Sequence, residues 1–224
     1  RNPVAGIGFY RYRAIEFLIN EEDRKRYGDV TSISSRLSAI MKTLLVKRLE
    51  SSFYAFKMSL SRLDTNTNHM IKMFEEDKIY VAPDVDVNKY LNEGNEEGLE
   101  EKINSKGGNN QIYNAADFKE DFVELLKADK KIINELVNEW AKINYDPKLD
   151  KFLRDLKSKF LNKKNNHSGK LVIFSESKET ITYLSDTLQD LGINKILAIS
   201  AANRKDKFPT IQLNFDANQD KAVW

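Results

Sequence analysis

The chain has 224 residues, which is enough for one large domain or two small ones. Its 36 basic and 34 acidic residues leave a formal net charge of only +2, so a nucleic-acid-binding surface would need local segregation of charge. The absence of cysteine excludes disulfides and thiolate metal sites, and the two histidines make a histidine metal site unexpected. The sequence contains no membrane-spanning apolar run and no signal-peptide pattern, so we expect a cytoplasmic protein with no membrane partner.

The N-terminal segment interleaves tyrosine with arginine. Tyr10 and Tyr12 alternate with Arg11 and Arg13. This alternation can bind single-stranded nucleic acid, because bases stack on the rings and phosphates pair with the cations. The alternation is more typical of a strand or helix start with one solvent-facing side, and the sequence favours that interpretation over nucleic-acid binding.

Apolar residues recur at helical spacing between Ile33 and Phe74, which predicts one long helix or two helices joined end to end. The stripe begins with Ile33, Leu37, Ile40 and Leu44 and continues, after a small phase shift, with Leu49, Phe53, Phe56, Leu60 and Leu63.

The following segment is more polar. Residues 78–82 predict a short extended piece, which Pro83 ends. Residues 92–111 are rich in Asn, Glu and Gly, a composition that predicts a mobile connection with a short helix at 99–103 at most. We therefore expect a flexible insertion near residues 84–116.

Two helices are predicted next. Apolar residues at helical spacing, with acidic residues in the first turns, predict a helix over 117–143. Asp146-Pro147 then combines an N-cap residue with a proline at the first helical position, which predicts the start of another helix.

The last part of the chain has the pattern of a βαβ unit. The short apolar runs 171–174 and 196–199 predict two buried parallel strands. The helix between them is expected to begin after Ser177, a suitable N-cap, and to end at Gly192, a suitable C-cap.

Four strings of the sequence resemble the bacterial Swi/Snf-type branch of the superfamily 2 helicases. They are LVKRLESSFYAF at 45–56, DPKLDKFLRDL at 146–156, KLVIFSESKETITYLSDTL at 170–188 and TIQLNFDAN at 210–218. The first is similar to the family's segment between its two lobes, and the third to motif IV at the start of the second RecA-like lobe. The resemblance covers 9–74 and 146–218 and leaves 77–143 unmatched.

The resemblance implies a division of the chain. Residues 1–145 would form the inter-lobe helical region, and residues 146–224 the beginning of the second RecA-like lobe. The expected fold class is mostly α with a partial α/β, in which a long helical region is followed by an incomplete RecA-like parallel sheet.

The function implied is that of a fragment of an ATP-dependent DNA helicase or translocase. Such a motor needs a phosphate-cradling loop, an acidic pair that holds magnesium and an arginine finger, and the sequence contains none of them. Because the chain begins at Arg1 without a methionine, we expect it to be cut from a longer protein that carries these parts. The fragment is then non-catalytic in isolation and holds no cofactor, whereas the parent protein uses ATP and Mg²⁺.

The implied partners are the DNA backbone, contacted without sequence preference, and the first RecA-like lobe of the same parent chain. The family's strand-end loops map onto Ser175, Ser177, Lys178 and Arg204, the expected nucleic-acid-binding residues. A sheet cut after two strands would expose an edge, which we expect to be covered by the chain's own C-terminal residues or by self-association of the fragment. The alternative function is a helical protein-interaction module with a small α/β appendage and no nucleic-acid role. A complete nucleotide-binding α/β enzyme is disfavoured by the missing phosphate loop.

Overall fold

The computed structural model describes residues 6–28 and 30–215. Its helices are α1 (Glu21–Arg26), α2 (Val30–Ser51), α3 (Phe53–Glu75), α4 (Val87–Asn92), α5 (Glu96–Lys106), α6 (Asp121–Ala141), α7 (Pro147–Asp155), α8 (Lys178–Asp190) and α9 (Arg204–Phe215). The two strands are β1 (Ile79–Val81) and β2 (Gln111–Tyr113), which pair antiparallel with Ile79 opposite Tyr113. The described residues are thus mostly helical with a small sheet, which confirms the class of mostly α with a partial α/β content.

The chain divides into two compact units. The first takes in the described residues up to Lys47 together with Ser59–Ile143, and the second takes in Arg48–Met58 together with the described residues from Asn144 onward. Because the division passes through α2 and α3, each of these helices contributes to both units. No helix in the described part of the chain is long and apolar enough to cross a membrane.

Aromatic rings form the centre of the first unit. Phe122, which is fully buried, stacks on Phe17 with ring centroids 4.5 Å apart and meets the edge of Phe74 at 5.5 Å. Phe118 packs on both Phe74 and Phe122. The buried strand β1 and helix α5 complete this core, so residues far apart in sequence share one apolar cluster.

The stripe between Ile33 and Phe74 forms two helices joined end to end, as one of the two predicted alternatives has it. The joint is at Ser52, whose buried Oγ accepts a hydrogen bond from the backbone N–H of Ala55 at 3.0 Å. Serine is a favoured residue at a helix start, because its side chain can satisfy a first-turn donor. Phe56, Leu60 and Leu63 of α3 are buried.

The described apolar side chains in the first part of that stripe are largely exposed. Leu37, Ile40 and Leu44 are 39%, 51% and 41% exposed. Helix α2 packs instead through Met41 and Leu45, which contact the cluster of Phe9, Leu63 and Ile133. The apolar arc of α2 is wider than the face its neighbours cover, and helical spacing alone does not show which half is buried. The side chain of Ile33 lies outside the described residues.

The segment 84–116 has more secondary structure than the predicted short helix at 99–103. The segment forms α4, α5 and β2, and Leu99 and Ile103 of α5 are almost fully buried in the first core. Two apolar residues at i, i+4 spacing seat this helix, while the Asn, Glu and Gly around them give the segment a polar composition. The buried side chain of Asn110 fixes the turn after α5, since its Oδ1 accepts from the N–H of Asp84 at 3.1 Å.

The predicted helices of the second unit form, but the predicted parallel strands do not. Within the described residues, 171–174 and 196–199 belong to no hydrogen-bonded strand, and Phe174 is 92% exposed. Lys170, expected to open the first strand, donates instead to the carbonyl of Asn214 at the end of α9. Parallel strands are stable when further strands and helices cover both of their faces, and two short segments alone lack that cover.

Candidate functional site

Three strings of the family resemblance meet in the second unit. We call this place the junction, and it consists of Arg48, Ser51, Ser52, Phe53, Tyr54, Asp146, Lys148, Ser175, Glu179, Thr180 and Tyr183. Its residues come from the α2–α3 joint, from the start of α7 and from the start of α8. The segment Arg48–Met58 joins the second unit through these contacts, although 85 residues of the first unit (59–143) separate it from Asn144.

A hydroxyl cluster occupies the middle of the junction. The Oγ1 of Thr180 lies 2.8 Å from the Oγ of Ser51 and 2.9 Å from the Oγ of Ser52. The Oγ of Ser51 also lies 3.2 Å from the Oγ of Ser175. Each hydroxyl carries one donor hydrogen and two acceptor positions, so the four groups can satisfy one another as a connected network.

An ion pair borders the hydroxyl cluster. The Nη1 of Arg48 donates to Oε2 of Glu179 at 3.1 Å, and the two side chains are 30% and 18% exposed. The same carboxylate oxygen accepts from the Oγ of Ser177 at 2.9 Å. Glu179 is in the first turn of α8, where the helix dipole stabilises a negative charge. The partial burial makes this pair less screened by water than a surface ion pair.

The carboxylate of Asp146 links two helix starts. Its Oδ1 accepts from the N–H groups of Lys148 and Leu149 at 3.0 and 3.1 Å, which is the predicted N-cap of α7. Its Oδ2 accepts from the N–H of Phe53, the first residue of α3, at 3.1 Å. One side chain therefore satisfies donors at the beginning of α7 and of α3.

The first turn of α7 also contacts the end of α2. The Nζ of Lys148 donates to the carbonyl of Glu50 at 2.6 Å, and a cation is favourable at a helix C-terminus. On the other side, the rings of Tyr54 and Tyr183 stack with centroids 4.7 Å apart and an interplanar angle of 9°. Burial, and then the negative charge of Asp146, raise the pKa of Tyr183. Polar and aromatic contacts thus join α2, α3, α7 and α8 at one point.

The two serines predicted to bind nucleic acid are engaged by protein groups. Ser177 is almost fully buried, and its Oγ accepts from the N–H of Thr180 at 3.3 Å as the predicted N-cap of α8. The Oγ of Ser175 accepts from the N–H of Ser177 at 3.1 Å. Their hydroxyls position the start of α8, so any phosphate contact from this loop falls to its exposed side chains.

The two predicted basic residues are exposed. Lys178 is the first residue of α8, and Arg204 is the first residue of α9. Within the described part of the chain, no hydrogen bond or ion pair joins Arg204 to the Ser175–Lys178 loop. Their role in phosphate binding stays a prediction.

The sequence did not predict Arg48, Ser51, Glu179 or Thr180 as site residues. Arg48 on a charged helix is typical of a surface ion pair, and serines and threonines near helix ends are typical of caps. The only signal was indirect, because these residues belong to strings with the same family resemblance. Sequence spacing does not predict that such strings touch across a separation of 131 residues between Arg48 and Glu179.

The side chains of the junction connect helices α2, α3, α7 and α8 to one another. Among the described residues, no group of three or more His, Cys, Asp or Glu side chains is placed to hold a metal ion. The hydroxyls, the ion pair and the stacked rings fix geometry between helices rather than presenting a nucleophile beside a base. Comparison of the chain with family models, with curated proteins and with solved structures finds no match.

Proposed function

We propose that this chain is part of an ATP-dependent DNA helicase or translocase of the Swi/Snf-like branch. One observation supports the proposal most strongly. The strings at 45–56, 146–156 and 170–188 resemble one family, and they contact one another in the junction through Arg48–Glu179, the Thr180 hydroxyl cluster and Asp146.

In this proposal the junction couples the start of the second lobe to the inter-lobe helices. Helices α2 and α3 each have residues in both units, so a displacement of α8 is passed into both helices through Arg48, Ser51 and Ser52. A connected network with a stacked tyrosine pair resists relative movement of its members better than isolated surface contacts. The fragment itself is non-catalytic, and ATP and Mg²⁺ act in the parent protein, whose first RecA-like lobe is a partner.

The proposed nucleic-acid partner is the DNA backbone. Lys178 and Arg204 are exposed cations at the starts of α8 and α9, where backbone N–H groups also favour anions. Such contacts recognise phosphate and carry no base information. We further propose a cytoplasmic location, in keeping with a bacterial DNA motor.

Fluorescence anisotropy with labelled duplex DNA tests this function. At low salt the chain should bind duplexes of unrelated sequence with equal affinity, and binding should weaken steeply as salt rises, through counterion release. The double variant Lys178→Glu/Arg204→Glu should bind more weakly and reduce the slope of log affinity against log salt by roughly two. The matched control is Lys131→Glu/Lys195→Glu, which reverses two other exposed lysines. Equal losses in the two double variants would contradict the assigned contacts.

One observation favours the alternative, a helical protein-interaction module with no nucleic-acid role. The exposed stripe of Leu37, Ile40 and Leu44 on α2 is apolar and lies on a helix that also carries Arg36, Lys42 and Lys47. Its complement would be an acidic amphipathic helix, by the usual groove-and-helix pattern. Absence of DNA binding at low salt, together with binding of an acidic amphipathic peptide that Ile40→Asp abolishes, would favour this module over the motor fragment.

A further inference from the structure

Residues 157–170, which follow α7 in the second unit, form a segment that we call the basic loop. It contains five lysines and no acidic residue, and the next acidic side chain along the chain is Glu176. The loop begins in a π-helical turn, Leu156–Phe160, in which the N–H of Leu161 donates to the carbonyl of Leu156 at 2.8 Å. Such turns are rare and are frequent at functional sites. The near-neutral chain thus concentrates positive charge in a segment with an unusual backbone.

One asparagine holds the two ends of the basic loop together. The Nδ2 of Asn166 donates to the carbonyl of Phe160 at 2.9 Å and to the carbonyl of Lys170 at 2.8 Å. Its Oδ1 accepts from the N–H of Gly169 at 3.1 Å. Because one amide group bonds both carbonyls, residues 160–170 close on themselves as an Ω-loop, a class of surface loop that is frequently functional.

Two further asparagines fix the middle of the basic loop. The Oδ1 of Asn162 accepts from the N–H of Lys164 at 2.9 Å, and its Nδ2 donates to the carbonyl of Ser158 at 3.2 Å. The Nδ2 of Asn165 reaches the carbonyl of Lys159 at 3.4 Å. These amides are engaged within the loop, so what the loop offers to a partner is mainly positive charge.

That charge is not neutralised by the neighbouring helix. Lys163 and Lys164 are exposed, and no ion pair in the described part of the chain involves either of them. The nearest preceding carboxylate, Asp155, is already paired with Lys151 at 2.8 Å and with Lys159 at 3.1 Å. The closed end of the loop therefore presents two adjacent cations to solvent.

We propose that the basic loop binds the phosphate backbone of DNA, as a contact in addition to Lys178 and Arg204. The inference rests on the proposed function, which has DNA as its partner. Residues 162–170 contain no apolar side chain, so the closed end of the loop lacks both the apolar centre of a typical protein interface and an anchor for a membrane. Lysines paired with phosphates hold a uniform polyanion without reading its bases. Order in the free loop lowers the entropic cost of this contact.

The two histidines of the chain give the test a reporter and an internal control. His167 lies in the basic loop, whereas His69 lies in α3 within the first unit. With ring-labelled histidine at constant pH and low salt, a short DNA duplex should shift the His167 resonances saturably and leave those of His69 in place. Polyglutamate of the same total charge should shift His167 less, because its charges are more widely spaced than those of a duplex.

Two variants and a control complete the experiment, with affinity measured by fluorescence anisotropy. Lys163→Gln/Lys164→Gln should weaken duplex binding and reduce the slope of log affinity against log salt by roughly two. Lys131→Gln/Lys195→Gln removes two exposed lysines elsewhere and should change neither quantity. Asn166→Ala keeps every charge but removes the bonds that close the loop, so it should weaken binding by roughly three- to tenfold and leave the slope unchanged.

The outcomes separate the loop contact from the proposed function. Duplex binding without a response of His167, or with full affinity in Lys163→Gln/Lys164→Gln, overturns the loop contact alone. Full affinity in Asn166→Ala overturns the role of loop closure, and an equal response of His167 to polyglutamate assigns the loop to acidic proteins instead. A wild type that binds no duplex at low salt contradicts the DNA partner of the proposed function, and the loop contact with it. Native positions of the His69 resonances show that each variant is folded.

Discussion

At the scale of single residues, Asp129 is a buried carboxylate on the face of α6 that also buries Phe122, Leu126 and Ile133. It is 3% exposed, and its two oxygens accept from the N–H groups of Gly8 at 2.6 Å and Tyr10 at 2.9 Å. Between these donors, Phe9 has a φ of 55°, a left-handed conformation that is uncommon for a residue with a side chain. Asp129 therefore anchors the N-terminal segment in a strained turn.

The pKa of Asp129 leads to a pH prediction. Burial raises this pKa above the ordinary value of 3.8, ahead of the backbone hydrogen bonds and Arg13, which lower it. The folded state then keeps this proton to a higher pH than the unfolded state does. The stabilisation that Asp129 contributes is accordingly greatest below its unfolded pKa and declines as the pH rises through the raised folded pKa.

Urea denaturation of the wild type and of Asp129→Asn at several pH values measures this contribution. The difference in unfolding free energy between the two proteins should fall as the pH rises above 3.8 and become constant above the raised pKa. Taking the difference removes the opposite slope from Glu100 and Asp155, whose pKa values are lowered by Lys78 and by Lys151 respectively. A difference that is constant with pH, or that grows as the pH rises, would contradict the burial of this carboxylate.

The ion pair in the junction gives a second residue-scale prediction. A double-mutant cycle with Arg48→Ala and Glu179→Ala should show a coupling energy on the order of 1 kcal/mol, at the upper end of values for partly exposed pairs. The reference cycle is Lys25 with Glu21, a pair whose side chains are 72% and 69% exposed, and its coupling should be smaller. Equal coupling in the two cycles would mean that the junction does not shield its ion pair from water.

At the scale of elements, local chemistry could be predicted and tertiary contact could not. The caps at Asp146 and Ser177 were predictable, because a cap is chosen within one turn of the chain. The strand at 171–174 is predicted from an apolar run alone, and strand formation depends on partners that a run of residues does not specify. The polar composition of 92–111 predicts a shorter helix than α5. Composition does not show that two residues, Leu99 and Ile103, are enough to bury one face of this helix.

The next prediction compares an exposed apolar residue of α2 with a buried one of α3. Ile40→Ser should change the unfolding free energy by less than about 0.5 kcal/mol, because the Ile40 side chain is 51% exposed. Leu60→Ala, in the buried part of the same predicted stripe, should cost about 2–5 kcal/mol through lost burial and a cavity. Chemical denaturation of the two variants measures both changes in unfolding free energy. A comparable loss in Ile40→Ser would mean that the first half of the stripe is covered after all.

At the scale of the whole molecule, the second unit leaves apolar side chains uncovered. Val172, Ile173 and Phe174 are 55%, 45% and 92% exposed, and Leu191 is 55% exposed. The chain's own C-terminal residues are one expected cover of the cut sheet, and those after Phe215 lie outside the described part. The other expected cover is a second copy of the chain, since exposed apolar surface favours association.

Sedimentation velocity over a range of concentrations tests this self-association. The wild type should form a dimer as its concentration rises, and Phe174→Asp should shift the equilibrium toward the monomer without lowering stability, because Phe174 is almost fully exposed. Tyr145→Asp, which changes a 59% exposed aromatic residue of the same unit, is the matched control and should leave the equilibrium unchanged. A wild type that stays monomeric at every accessible concentration would contradict the prediction.

The proposed function makes this chain part of an ATP-driven DNA motor whose ATP-binding and magnesium-binding residues belong to the rest of a longer protein. Sequencing the complete reading frame that encodes these residues tests this proposal. We expect a phosphate-binding loop and an acidic magnesium-binding pair before Arg1, and an arginine-finger motif after Trp224. A reading frame that continues on either side without these motifs, or that encodes little more than these 224 residues, would rule out the motor fragment.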